Sequence, residues 1–196
     1  MKLKNHNHEV SRGPLLTGYA DSYVKLAKNR MLFVSEDVDD PMAAELSAML
    51  LYLDNEDHEA PIEMYIHSNG GAVTGLCNIY DVMQMISAPV QTVCIGKCYS
   101  AAAVLLSAGT KGMRYAFKNA SVMIHGVQFA FPLPGQDLTS SKSYLDFVNE
   151  NNDSIMKILA QHTGHTLQKL KEDCKGDLWL TAQEALKYGI IDHIIG

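Results

Sequence analysis

Short apolar runs alternate along this chain with longer stretches whose apolar residues recur at helical spacing. MLFVS (31–35) predicts a short buried strand. DDPMAAELSAMLLYLDN then offers Asp39 or Asp40 as a cap, Pro41 in the first turn and apolar residues at helical spacing, so a helix is predicted. IEMYIH (62–67) predicts a second strand, ended by SNGG, and AVTGLCNIYDVMQMI a second helix, stopped by Pro89. VQTVCIG predicts a third strand and SAAAVLLSAG a helix closed by Gly109. MRYAF and SVMIHG predict two further short strands. Strands and helices alternating in this way imply right-handed βα crossovers and a mostly parallel sheet, an α/β fold.

Beyond SVMIHG the pattern changes. Residues 138–162 form one long helical stretch with Tyr144, Val148, Ile155 and Leu159 on an apolar stripe. Its middle, NENND, is so polar that the helix is expected to leave the main body there. TLQKLKEDC predicts a short helix capped by Thr166. TAQEALKYGIIDHII predicts a last helix, with Thr181 and Glu184 at capping-box spacing and Gly189 as its stop, then a short strand. No internal repeat or low-complexity linker interrupts the pattern, so a single domain over 1–196 is expected, with 1–25 a flexible N-terminal segment.

The 196 residues suffice for one domain with a substantial core. Lys and Arg number 16 against 22 Asp and Glu, a formal charge of −6. No basic cluster breaks this acidic surface, which argues against nucleic-acid binding. No apolar run reaches membrane-spanning length, and MKLKNHNHEVSRG lacks the apolar stretch of a secretory signal, so a cytoplasmic protein is expected. Cys77, Cys94, Cys98 and Cys174 show no zinc spacing and read as free thiols, buried or half-buried. His6 and His8 read as solvated residues, and no metal site is expected.

Three places can carry chemistry. Ser100 stands where a strand gives way to a helix. Free backbone N–H groups and the positive dipole end there would stabilise an oxyanion beside its hydroxyl, with the Ala101 N–H as donor. A serine ahead of an alanine run is also an ordinary helix cap, and on this stretch alone capping is the simpler reading. HSNGGAVT (67–74) puts adjacent glycines between a strand and a helix, where backbone N–H groups can meet a carbonyl or a phosphate. It is neither a dinucleotide fingerprint nor a Walker loop. His125 ends an apolar strand; alone it reads as structural, beside a serine as a general base. A carboxylate must then hold its imidazole, and spacing does not choose among Asp173, Asp177 and Asp192. Loops after parallel strands meet at one sheet edge, so these places can form one site.

From KLAKNRMLFVSEDVDD to the C-terminus the chain resembles the ClpP family of self-compartmentalised serine peptidases. The resemblance rests on MYIHSNGGAVTGLCNIYDVMQ, VCIGKCYSAAAVLLSAGTKGMRYAFKNASVMIH and HTGHTLQKLKEDCKGDLWLTAQEALKYGIIDHII. It implies a ClpP/crotonase-like βα spiral with a protruding helical handle over about 127–162. It implies Ser100 as nucleophile, His125 as general base and Asp177 as the aspartate that orients it, with the backbone N–H groups of Gly71 and Ala101 as oxyanion hole. The implied reaction is peptide-bond hydrolysis in unfolded polypeptides, without metal or organic cofactor. The implied partners are further copies in heptameric rings stacked as a tetradecamer, and a AAA+ unfoldase such as ClpX or ClpA. Leu51, Tyr65, Met85 and Tyr115 match the family's docking clefts, although simple packing is nearly as good a reading of each.

The chain also departs from the family pattern. SNGG stands where the family usually has Ser-Pro-Gly-Gly. YSA replaces Ala-Ser-Met around the nucleophile, so bulky Tyr99 and small Ala101 are expected to reshape the pocket beside the scissile bond. GVQFAFPLPGQ replaces Gln-Pro and a glycine-rich strand after the histidine. Pro132 and Pro134 disfavour a regular strand there, and Phe129, Phe131 and Leu133 would fill the groove or pack between rings. Lys175-Gly176 replaces an acidic-Arg pair ahead of Asp177. Together these predict a triad complete in sequence but conditionally aligned, with Ser100 and His125 beyond hydrogen-bond reach in the lone chain. Three other readings stay open: a paralogue that works only in a mixed ring with a second ClpP-like subunit; a phage-type head-maturation peptidase; and, furthest from the pattern, a crotonase-like acyl-CoA hydratase or isomerase.

Overall fold

The architecture is that of a computed structural model, which describes residues 22–128 and 137–196. The segment 1–21, with His6 and His8, and the segment 129–136, with Phe129, Phe131, Pro132, Leu133 and Pro134, lie outside the described residues.

A seven-stranded sheet organises the chain. Its strands are β1 (Met31–Val34), β2 (Ile62–Ser68), β3 (Val90–Tyr99), β4 (Arg114–Phe117), β5 (Ser121–Ile124), β6 (Leu178–Thr181) and β7 (His193–Ile195). The order is β1-β2-β3-β4-β7, and β5 pairs with both β3 and β6. Every pairing is parallel except β5 with β6. The expected alternation is borne out. Helix α1 (Asp40–Glu56) links β1 to β2, α2 (Val73–Met85) links β2 to β3, and α3 (Ala101–Ser107) links β3 to β4. Helices α4 (Leu138–Thr163), α5 (Leu167–Asp173) and α6 (Ala182–Tyr188) follow.

The caps are where the sequence places them. The Asp39 carboxylate accepts the Met42 N–H at 2.9 Å, and Pro41 occupies the first turn of α1. Thr166 caps α5, and Thr181 and Glu184 close a capping box on α6. The alternation of β2 and the stripes of α1 and α2 bury Leu50, Ile62, Met64, Ile66, Leu76 and Ile79. Replacing one such leucine by alanine would cost about 2–5 kcal/mol. Helix α3 is buried along its whole length, which its alanines permit by letting it lie close to the strands.

Gly96 does not end the third strand. It takes φ +74° at a bend inside β3, where the register with β2 shifts between Ile66 and Ser68. Before the bend, Thr92, Val93 and Cys94 pair with β4; after it, Lys97, Cys98 and Tyr99 pair with β5. That hand-over carries the strand on to Tyr99 and delivers Ser100 beside β5. The polar middle of α4 does not leave the body either. Asn152 is half-buried, and its Oδ1 accepts the Val127 N–H at 2.9 Å. The helix is fixed by Ile155, Met156 and Leu159, all buried, whereas Phe147 in its earlier half is 57 % exposed.

Candidate active site

Two strand registers bring the three candidate side chains together. In the parallel β3–β5 pair Tyr99 lies opposite Met123, and the next N–H, that of Ser100, donates to the Met123 carbonyl at 2.8 Å. In the antiparallel β5–β6 pair Ile124 opposes Leu178, so His125 and Asp177 become the next cross-strand pair. Ser100 Oγ lies 2.8 Å from His125 Nε2, and His125 Nδ1 lies 3.1 Å from Asp177 Oδ1. The expectation of a serine and histidine out of reach is therefore corrected. Their placement comes from strand pairing, which needs no ion pair at 175–176. The other two aspartates are engaged elsewhere: Asp173 with Lys169 and Tyr188, Asp192 with Arg114.

Ser100 takes φ 53° and ψ −124°, a conformation unusual for a residue with a side chain. Its carbonyl starts α3 by accepting the Ala103 N–H at 2.9 Å, but its side chain makes no capping hydrogen bond. The capping reading fails, and the strained turn instead aims Oγ at His125. The glycine turn supports it from below. Gly70 has φ +94°, and a Cβ there would fall 2.6 Å from Tyr99 O and 2.8 Å from both Ser100 Cβ and Ala101 N. A Cβ on Gly71 would collide with the Val38 backbone. Val38 holds this turn in place, donating its N–H to Gly70 O at 2.8 Å and accepting that of Ala72 at 2.6 Å. Ser68 Oγ adds a bond from the Gly70 N–H at 3.0 Å. The N–H groups of Gly71 and Ala101 have no acceptor among the described residues.

A cavity of about 170 Å³ opens beside these groups. Val73, Leu76, Val104, Ile155 and Leu159 make its wall apolar, and Gly71, Ser100, Ala101 and His125 form its polar edge. Such a wall suits an apolar side chain, and its polar edge lies at Ser100. Ala101 shapes this pocket as expected, but Tyr99 does not. Its ring packs edge-on against Trp179 at 5.0 Å, and its hydroxyl lies 2.8 Å from Ser121 Oγ. Two further residues reach the site. Gln128 Nε2 lies 3.1 Å from His125 Nδ1, and Asn152 anchors the segment between them. Sequence reasoning missed both, because an amide three residues after a histidine carries no distinctive pattern and Asn152 meets this segment only through the fold.

The supporting charges are placed outside the cavity. Burial works to raise the Asp192 carboxyl, but the Arg114 hydrogen bonds and charge outweigh it and hold it low. The Lys169 ammonium, then the Tyr188 hydroxyl, hold Asp173 low. Burial, then the nearby Asp173 charge, push the Cys174 thiol up to about 11, and burial pushes Cys98 well above its ordinary value. All four cysteines are free, and burial leaves these two poor thiolates.

The four docking candidates fall into two groups. Tyr65 on β2 and Tyr115 on β4 are half-buried on the same rung of the sheet, flanking Val93 of β3. Tyr65 stacks on Phe33 at 5.3 Å and Tyr115 on His193 at 5.0 Å. Leu51 on α1 and Met85 at the end of α2 are 43 % and 67 % exposed.

Comparison with known proteins assigns the class. The family model of Clp protease matches residues 17–196. Over 174 residues the chain is 42 % identical to the "ATP-dependent Clp protease proteolytic subunit 2" of Cutibacterium acnes (strain DSM 16379 / KPA171202), a match covering 88 % of this chain and 80 % of that relative. The chain is a serine-type peptidase of mixed α/β architecture. It belongs to the Clp protease family, as a ClpP-type proteolytic subunit. Members of that family work in general as oligomeric rings served by an ATP-dependent unfoldase. Among the described residues no helix is long and apolar enough to cross a membrane.

Proposed function

We propose that this subunit cleaves unfolded polypeptides by acyl transfer through Ser100. His125 Nε2 takes the proton as Ser100 Oγ attacks the scissile carbonyl carbon. Asp177 accepts the Nδ1–H bond, orienting the ring and stabilising the imidazolium. The oxyanion receives the Gly71 and Ala101 N–H groups. When the carbon–nitrogen bond breaks, His125 returns the proton to the leaving amine. A water deprotonated by His125 then attacks the acyl-serine, and collapse releases the acid and restores Ser100. The observation that carries this reading is the 2.8 Å contact from Ser100, on its strained turn, to His125. A fluorogenic peptide assay on the assembled protein tests it. Ser100→Ala is expected to lower turnover by about 10⁴-fold or more. A variant that keeps its activity would remove Ser100 from the mechanism.

The reading extends to assembly. Exposed Leu51 and Met85 suit contact with an unfoldase of the ClpX or ClpA kind, and the earlier half of α4 suits a handle between heptameric rings stacked as a cytoplasmic tetradecamer. A second reading is a mixed ring with another ClpP-like subunit. The relative's name numbers it as a second proteolytic subunit, and Lys175 pairs with Glu172 at 2.6 Å beside an unconstrained Gly176. Solution mass and peptidase activity, measured with and without a second subunit, separate the two. Full activity in stacked rings of this chain alone contradicts the mixed ring.

A further inference from the structure

We propose that Gln128 is a positioning residue that restrains the His125 general base by competing with Asp177 for Nδ1. The proposal rests on the reading of Ser100 as nucleophile. His125 Nδ1 has neighbours at equal distance: Asp177 Oδ1 at 3.1 Å and Gln128 Nε2 at 3.1 Å. They demand opposite states of the ring. A carboxylate can only accept, so it holds the ring proton on Nδ1 and leaves the Nε2 lone pair free for the Ser100 proton. An amide N–H can only donate, so it selects a bare Nδ1 and moves the ring proton to Nε2. In that tautomer Nε2 donates across the 2.8 Å contact to Ser100 Oγ, Asp177 faces a lone pair, and the serine has lost its base.

Gln128 is held near the ring by anchors on its own segment. The Gly126 N–H donates to the Cys174 carbonyl at 3.0 Å, and the Val127 N–H donates to Asn152 Oδ1 at 2.9 Å. Space is tight there: a Cβ on Gly126 would lie 3.1 Å from Asn152 Oδ1 and 3.3 Å from Cys174 O. The chain that carries Gln128 is thus fastened to the segment that leads into Asp177 and to α4. The rival is weakened by solvent, because the Asp177 side chain is 43 % exposed while that of His125 is 13 % exposed. The groups that meet His125 from the surrounding elements are few. Helix α3 presents Ala101 and Val104 to the cavity, α4 presents Ile155 and Leu159, and the turn before α3 presents Ser100. Asp177 is the one charged side chain in hydrogen-bond contact with the ring among the described residues.

The test is the rate at which diisopropyl fluorophosphate labels Ser100 in the full chain, followed across pH. In this reaction the Oγ–P bond forms, the P–F bond breaks, and His125 takes the proton. Wild type is compared with Gln128→Met, which keeps the length without a donor, and with Gln128→Glu, which can only accept. Gln128 is exposed, so neither variant disturbs the core. In Gln128→Met the plateau rate is expected to rise roughly three- to tenfold, the worth of one neutral hydrogen bond. Its acid limb moves to higher pH, because the bond that favoured the uncharged ring is gone, and Gln128→Glu moves it further. A lower plateau with the limb displaced to lower pH overturns the proposal, since Gln128 then assists Asp177 through its amide oxygen. A changed plateau with an unmoved limb also overturns it, marking a contact to the reagent, as does no change at all. If neither the wild type nor a variant labels at Ser100, the reading of Ser100 as nucleophile itself falls.

Discussion

Asp192 and Asp177 both sit beside a nitrogen base, yet they are built differently. Asp192 closes a saturated network: it accepts from Arg114 Nη2 at 2.6 Å, Arg114 Nε at 2.8 Å and the backbone N–H groups of Gly112 and Arg114. Arg114, 4 % exposed, turns both Nη1 donors to the carbonyls of Ser107 and His162. Asp177 makes one contact with His125 at 3.1 Å and stays 43 % exposed on its side chain. A saturated ion pair has nothing left to give a substrate and serves the fold. An open pair can polarise and reorient, as a general base must.

That contrast predicts opposite lesions. Asp177→Asn is expected to cut kcat/KM by about 10⁴-fold, through the wrong imidazole tautomer, with Tm shifted by less than about 2 °C. Parallel peptidase kinetics and thermal melts check both halves. Asp192→Ala should do the reverse. It strands a buried guanidinium at a cost of about 3–5 kcal/mol, read from urea unfolding, and Arg114→Met with Asp192→Leu should recover most of it. A third break falls between the two regions. Gly70→Ala pushes a methyl group into the turn that holds Ser100, so kcat is expected to fall about 10²-fold with Ser100 still in place.

The smallest effect lies behind Arg114. Burial, then the Arg114 charge, depress the pKa of His162 below its ordinary 6.5. A depressed folded-state value gives stability that is present above the unfolded value and lost as pH falls through the folded one. Tm should therefore be flat above about pH 7 and begin to fall below about pH 6.5, and His162→Gln should flatten that first decline. A decline that survives the substitution would assign it to other groups.

Local signals were legible in the sequence. The Asp39 and Thr181 caps, the glycine turn and the βα alternation each follow from chemistry within a few residues. The association of Ser100, His125 and Asp177 came from motif resemblance, and spacing alone could not choose Asp177 over Asp173 and Asp192. What chooses geometrically is the antiparallel partnership of β5 with β6, a four-residue strand too short for alternation to announce. Reading Gly96 as a stop hid the continuation of β3. With that continuation, strand alternation turns Cys98 inward and Tyr99 outward to Trp179, away from the pocket. The polarity of NENND looked like solvent exposure, but Asn152 uses it to hold the backbone beside His125. The bend, the short strand and the buried amide are each decided by residues far apart in the chain.

The central claim is that Ser100 is a nucleophile activated by His125. Fluorophosphonate labelling followed by mass mapping of tryptic peptides tests it most directly. The account predicts a single adduct on Ser100 in the wild type, none in Ser100→Ala, and labelling slowed by about 10³-fold or more in His125→Ala. An adduct on another serine, or undiminished labelling of Ser100 without His125, would contradict it.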